Sequence, residues 1–344
     1  MTQIIECVPN FSEGRDLSII DQIANSISSV NGVKLLGVEP DRDYNRTVVT
    51  FVGSAESVKE AAYQSTIKAF ELIDMQKHHG EHPRIGAVDV VPFIPVSNTS
   101  MEECVEISKE YAKRVAEKYD IPIYLYAEAS TKPQRVNLSD IRKGEYEGLK
   151  AKLEDPNWYP DFGKPIFNPK IGALVTGARF FLIAYNVNLN TDDSSIAHEI
   201  ALRIRESGRP KKNEKGEFVL DESGKKIIIP GSLKQIKAMG VLLERYHIAQ
   251  VSINVMNYLV TPPHIAFEEV KKEAKTLGVE VTGSEIVGLT PKEALLMAGR
   301  FYASKESNQI PTNEKELIKI AIDNLGLSQL EEFIPEKKII EYMI

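Results

Sequence analysis

The order of secondary-structure signals constrains this chain more than any other feature, because one six-element pattern occurs twice. Ile4 to Val8 reads as a short strand stopped by Pro9. Asp16 to Val30 carries Leu17, Ile20, Ile23, Ala24, Ile27 and Val30 at the spacing of one helix face. Val33–Val38 and Thr47–Val52 are β-branched runs separated by the turn-rich Pro40-Asp-Arg-Asp-Tyr-Asn45. A periodic helix, Ser57 to Met75, follows the capping candidates Ser54 to Ser57, and Val88–Val96 is strand-like. The order β-α-β-β-α-β is the split βαβ arrangement of a ferredoxin-like domain. A helix over Ser100–Tyr119 and a strand over Ile121–Ala127 extend it.

The same order returns in the second half. Arg179–Leu189 reads as a strand, Ser194–Glu206 as a helix, and Leu233–Leu243 and Ala249–Tyr258 as strands. Pro262–Leu277 reads as a helix with proline near its start, and Val279–Val287 as a strand. No residue-level repeat accompanies it, so the duplication is one of element order. Helices over Pro291–Ser304 and Asn313–Asn324 follow, and the tail Lys337–Ile344 is read as an edge strand. The expected fold class is α+β, with two ferredoxin-like (βαββαβ) subdomains. A length of 344 residues fits two domains at roughly 150 each.

Between the halves, Lys132 to Ile171 holds Pro133, Pro156, Pro160, Pro165 and Pro169, with Gly144, Gly148 and Gly163. Apart from a helical candidate over Leu138–Lys152 its periodicity is weak, which marks a boundary or a functional loop. Lys211–Ile229 reads as a surface hairpin turning at Asp221–Gly224, with Phe218–Leu220 paired to Ile227–Ile229.

Composition removes several function classes. Apolar residues make up 42% and charged residues 26%, as in ordinary globular proteins. A net charge of -7 disfavours a nucleic-acid partner. The longest apolar stretch, Phe180–Val187, is far short of the roughly 20 residues of a membrane span, so no membrane partner is expected. Two cysteines, Cys7 and Cys104, fit a reducing compartment, and the start of the chain does not read as a signal peptide, so a cytoplasmic location is expected. There is no G-x-G-x-x-G, no phosphate loop, no nucleophile elbow and no C-x-x-C.

The search narrows to histidines. Three of the six crowd into His78-His-Gly-Glu-His82-Pro-Arg84. His78 and His82 are four apart, a chelating spacing on a helix. Gly80 and Pro83 oppose a helix there, and no third ligand motif follows, so no metal is expected. The favoured reading is acid–base catalysis by one imidazole on a stiff loop, since an ordinary histidine titrates near ~6.5. Pro83 points to His82 as the best fixed of the three, with Glu81 and Arg84 close enough to tune it. His198, His247 and His264 read as structural or solvated. Asn10, Glu39, Asp41, Asn45 and Arg46 sit at expected strand ends, as turn chemistry or as a polar rim. In the second case Glu39 can hold a cationic amidine and Arg46 can grip a carboxylate.

Seven blocks carry a resemblance: Cys7-Val-Pro-Asn-Phe-Ser-Glu-Gly14, Asn45-Arg-Thr47, Gly80-Glu-His-Pro-Arg84, Tyr124-Leu-Tyr126, Gly144-Glu-Tyr146, Pro160-Asp-Phe-Gly163 and Val175-Thr-Gly-Ala-Arg179. Together they resemble the glutamate formimidoyltransferases, the transferase half of formimidoyltransferase-cyclodeaminases, nearly end to end. The resemblance implies two subdomains, 1–178 and 179–344, packed around a substrate cleft, the second with a helical extension. It implies a homodimer, with any cyclodeaminase on a separate partner. It implies transfer of a formimino group from N-formimidoyl-L-glutamate to tetrahydrofolate, the co-substrate, as in histidine degradation. The family's catalytic histidine falls on His82. Its folate loop falls on Gly163, Lys164, Pro165, Ile166, Phe167, Asn168, Pro169, Lys170, Ile171 and Gly172. Phe167 then packs an apolar ring, and Lys164 and Lys170 face anionic glutamate tails. Two departures are Glu39, where aspartate is usual, and the longer 211–229 hairpin. Another formimino donor and a non-catalytic folate-binding protein are the alternative functions.

Overall fold

The computed structural model describes residues 3–306 and 310–343. The chain divides into two units, 1–180 and 181–344. The first contains β1 (Ile4–Cys7), β2 (Asn10–Phe11), α1 (Leu17–Ser28), β3 (Val33–Asp41), β4 (Arg46–Gly53), α2 (Ala55–Leu72), β5 (Val88–Ser97), α3 (Met101–Tyr119), β6 (Ile123–Ala127), α4 (Leu138–Arg142), α5 (Glu145–Glu154) and β7 (Leu174–Ala178).

β1 and β2 are two pieces of one strand position. Both lie between β4 and β5, and the break falls at Pro9, which has no N–H to give to a ladder. The antiparallel order is then β3, β4, β1/β2, β5, which is the ferredoxin-like arrangement. β7 and β6 add to β5 in parallel.

Helices α1, α2 and α3 cover one face. Ile23 and Ile27, Val58 and Phe70, and Tyr111 and Val115 meet Ile5, Cys7, Val49, Phe51 and Phe93 from the strands. On the other face Val90, Tyr124, Tyr126 and Val175 pack with Ile141, Leu149 and Leu153. β5, β6 and β7 are therefore buried on both sides, which explains their near-continuous apolar runs. The helix starts are chemically specified. Asp16 accepts from Ser18 and Ile19 at α1, and Ser100 and Glu103 form a reciprocal capping box at α3.

The helix expected over Leu138–Lys152 is two helices. Gly144 and Glu145 both take positive φ, +91° and +54°, which turns the chain between α4 and α5. Glycine adopts this conformation at no steric cost, so the break is seated on Gly144.

The second unit contains β8 (Ile183–Leu189), α6 (Ser194–Ile204), β9 (Arg209–Pro210), β10 (Ile228–Ile229), β11 (Ile236–Leu243), β12 (Ile248–Val255), α7 (Pro263–Thr276), β13 (Val281–Val287), α8 (Lys292–Glu306), α9 (Glu314–Leu325) and α10 (Pro335–Lys338). Its sheet runs β11, β12, β8, β13, again ferredoxin-like and antiparallel throughout. Tyr185, Val187, Leu189, Val251 and Ile253 are buried on one face, where α6 and α7 pack. The alternate positions are polar: Gln250 donates to Asn188 and Glu285, and Asn186 donates to Glu285.

Two expectations change here. In the hairpin, Leu220 bridges Lys226 around the Asp221–Gly224 turn as expected. Ile228 and Ile229, however, pair with Pro210 and Arg209, because the strand returns to the base of the excursion. The tail is not an edge strand. Pro335 starts the short α10, a 3-10 turn follows over Ile340–Tyr342, and among the described residues the tail's one bridge is Ile339 to Thr290. Ile344 lies outside the described residues. Among the described residues no helix is long and apolar enough to cross a membrane.

Candidate active site

The first unit gathers its polar side chains where β2, the β3–β4 turn and the segment before β5 converge. Asn45 is the hub. It is buried in the left-handed conformation, φ +48°, which asparagine tolerates better than most residues. Its Oδ1 accepts from Gly14 N at 2.9 Å, its Nδ2 donates to His79 O at 3.0 Å, and its carbonyl meets His78 Nε2 at 2.8 Å. Gly80 packs on the same turn: a Cβ there would lie 2.3 Å from Tyr44 O. Ser12 Oγ donates to Gly86 O at 2.7 Å.

A narrow, tightly packed cavity lies among Phe11, Ser12, Tyr44, Asn45, Arg46, His78, His82, Arg84 and Asp89. One open groove adjoins it at Arg84 and runs past His79, Gly80 and Glu147, and a second meets that groove at Gly144 and Glu145 and includes Pro83, Ser139 and Arg142. Arg46 and His82, singled out in the sequence, are thus brought together. Glu39 is not with them; it is exposed on β3 opposite Val48.

His82 is half-buried, with the Tyr44 ring 5.7 Å away and its Nδ1 buried without a partner among the described residues. Burial, and then the Arg46 and Arg142 guanidinium groups, lower its pKa to about 4, against a smaller opposing pull from Asp89. The imidazole is therefore neutral at pH 7. Arg46 Nε donates to Asn10 Oδ1 at 2.7 Å, and no protein acceptor meets its Nη1 or Nη2 among the described residues. Burial and the neighbouring Arg142 lower its pKa.

His78, not His82, is the best-fixed histidine. Its Nε2 meets the Asn45 carbonyl, and Arg84 Nε donates to its Nδ1 at 3.2 Å. Both ring nitrogens are spent inside the protein, so His78 has none left to chelate with His82. Among the described residues no three His, Cys, Asp or Glu side chains cluster so as to hold a metal ion. The expected tuning by Glu81 and Arg84 is also corrected. Glu81 is exposed, and Arg84 is clamped by Glu147 at 2.6 Å and Glu145 at 2.9 Å. Burial alone lowers the Arg84 pKa, yet these two carboxylates hold it above its ordinary value. The charges acting on His82 come instead from Arg46, Arg142 and Asp89.

Asp89 and Arg142 were missed in the sequence. The available signal for Asp89 is a lone acid inside the apolar run Val88–Val96. Arg142 has no such signal, since its contact with Asp89 spans 53 residues.

No residue of the segment Gly163–Gly172 lines the cavity or its two grooves, although Ile171 and Gly172 pair with Gly86 and Ala87 beside it. Met75 N donates to Lys170 O at 2.9 Å, Tyr146 Oη donates to Pro169 O, and Asn168 Oδ1 accepts from Lys170 N and Ile171 N. Phe167 is half-buried beside Tyr146, with ring centroids 5.5 Å apart. The two lysines are engaged, Lys164 with Asp120 and Lys170 with Glu71 O at 3.0 Å. Gly163 has φ +74°, and a Cβ would stand 1.9 Å from Ile121 O. Gly163→Ala should cost about 2–4 kcal/mol from backbone strain and overpacking together. Urea denaturation measures this; a loss below about 0.5 kcal/mol would contradict the packing described.

A neutral imidazole beside a guanidinium with open donors, on a ferredoxin-like scaffold, makes an acid–base site suited to an anionic substrate. Comparison with known proteins narrows the class. The family described as "Formiminotransferase domain, N-terminal subdomain" matches residues 4–179, and "Formiminotransferase domain" matches residues 184–344. The chain belongs to the formiminotransferase family. It is 51% identical to a formimidoyltransferase-cyclodeaminase of Dictyostelium discoideum, over all of this chain and 61% of that protein. It is 44% identical to a glutamate formimidoyltransferase of Streptococcus pyogenes serotype M1, over 89% of this chain and 95% of that one. It is 42% identical to a glutamate formimidoyltransferase of Thermoplasma acidophilum, over 87% and 92%. The chain thus spans about three-fifths of the fused relatives and nearly all of the shorter ones.

Proposed function

We propose that this chain transfers the formimino group of N-formimidoyl-L-glutamate to N5 of tetrahydrofolate, releasing L-glutamate. The observation that carries the reading is a neutral imidazole, His82, sharing a cavity with the open guanidinium fork of Arg46. The N5 lone pair attacks the amidine carbon and the C=N π pair moves onto nitrogen, giving a tetrahedral adduct. The proton on N5 passes to the His82 imidazole. The pair on the former imino nitrogen then re-forms the C=N bond as the bond from carbon to the glutamate nitrogen breaks, and that nitrogen takes the proton from His82. One base thus serves as acid in the second half.

Charge supports this order. Arg46 grips a donor carboxylate through its two terminal nitrogens. Pairing it removes one of the cations that hold the imidazole proton affinity down, so donor binding makes His82 a better base when it is needed. The 163–172 segment is the folate loop in this reading, with Phe167 as its apolar ring. The enzyme acts as a cytoplasmic homodimer.

The test is a spectrophotometric transfer assay with tetrahydrofolate and a panel of formimino donors. Formimidoylglutamate should exceed formimidoylglycine by at least about tenfold in kcat/KM, since a charge-assisted hydrogen bond is worth roughly 1.5–3 kcal/mol. Folate binding without turnover on any donor would overturn the proposal.

A further inference from the structure

His82 is bracketed by charged and polar groups from every element around it. Arg46 comes from β4, Asp89 from β5, Arg142 from the end of α4, Tyr44 from the β3–β4 turn, and His78 and Arg84 from its own segment. Asp89 is the one carboxylate in this set. It is 2% exposed, and both its oxygens have protein partners. Its two oxygens divide the work. Oδ1 accepts from Ile85 N at 3.0 Å, and Oδ2 accepts from Arg142 Nη2.

Each tie reaches His82 by a different route. Ile85 stands three residues beyond His82, across the stiff Pro83, so anchoring Ile85 N to β5 fixes the end of the segment that carries the ring. Arg142 arrives from the end of α4, far along the chain. Unpaired, it would leave a second bare cation beside the imidazole. We infer that the Asp89–Arg142 pair positions His82 and sets the charge under which it moves protons. Asp89 is a positioning residue here, acting through the segment and through Arg142 rather than on substrate. This inference rests on His82 being the proton carrier.

The signs of the effects are opposite for the two partners. Arg142 disfavours the imidazolium and Asp89 favours it. Arg142→Gln must therefore raise the midpoint of His82 above about 4, and Asp89→Asn must lower it. The asparagine keeps an acceptor for Ile85 N but turns its amide N–H toward Arg142 Nη2, so this change removes the charge and the Arg142 hydrogen bond together while the segment stays anchored.

The experiment is a ¹⁵N-histidine NMR titration of the ligand-free full chain, the resonance assigned with His82→Gln, alongside the pH profile of kcat/KM. The expected result is an upward shift of about one unit in Arg142→Gln, a tenfold gain in imidazolium at a given acidic pH. Asp89→Asn should shift downward and lose about 10–100-fold in kcat with KM little changed. If Asp89→Asn does not fold, Arg142→Gln decides alone. An unmoved midpoint in folded Arg142→Gln overturns the inference. A shifted midpoint in a chain without transfer activity upholds the pair and overturns the proposed function; turnover with no shift does the reverse.

Discussion

His82→Ala lowers kcat for formimino transfer at least about 100-fold and leaves folate affinity near normal. The expectation follows from where the ring lies and what surrounds it. A positioned acid–base group contributes about 10²–10⁴-fold. The remaining acceleration comes from holding two substrates together, which alanine at this position does not disturb. The imidazole is neutral in the free enzyme, so it accepts a proton at pH 7 without first losing one. Removing the ring also widens a narrow cavity rather than filling it, so binding should survive. Steady-state kinetics with calorimetric folate titration separates the two effects. An active His82→Ala enzyme assigns the proton relay to another group, and a parallel loss of folate affinity makes His82 a binding residue.

The second large effect concerns stability. Arg135 is completely buried, in the 3-10 turn that follows β6, with its side chain over the Tyr124 ring at 5.1 Å. Asp161 is its counter-charge at 2.8 Å and also accepts from Leu125 N at 2.8 Å. The other guanidinium donor contacts are backbone carbonyls, Asn157 O and Tyr159 O. Asp161→Asn keeps the shape and removes the charge, leaving a guanidinium in the interior without a counter-ion. Breaking a buried pair from one side costs about 3–5 kcal/mol, whereas replacing both members by apolar groups costs much less. Urea denaturation of Asp161→Asn should show a loss in that range, and Arg135→Met with Asp161→Leu a smaller one. A single-variant loss under about 1 kcal/mol would contradict the burial described for Arg135. The Pro160-Asp-Phe-Gly163 block thus has a structural reason to hold its residue types. Asp161 anchors the turn after β6, and Gly163 passes where no side chain fits.

Much of the architecture was legible because its elements are amphipathic and well punctuated. α1 announces itself through Ile20, Ile23 and Ile27 behind the Asp16 cap, and all three are buried. The doubled β-α-β-β-α-β order led to two ferredoxin-like sheets, and both are present. What was not legible depended on contacts or on single-residue conformations. The α4–α5 break rests on positive φ at Gly144 and Glu145, and helical periodicity runs through such a point unmarked. The tail is rich in isoleucine yet coils, because Pro335 starts a helical turn and the buried Ile339 and Ile340 fasten beside Thr290. In the site, His82 stood out through clustering and Arg46 through its place among the polar residues at expected strand ends. The choice of His78 as the fixed ring needed the Asn45 carbonyl and Arg84, which only the folded chain brings to it. The charge balance on His82 needed Arg142, a residue from a helix that sequence spacing does not connect to the histidine cluster.

The most direct test of the account is a crystal structure of the full chain with a tetrahydrofolate analogue bound. The account predicts the pterin N5 within hydrogen-bond reach of the His82 imidazole, about 2.6–3.2 Å or through one water. A pterin seated elsewhere, with His82 beyond that reach, contradicts it.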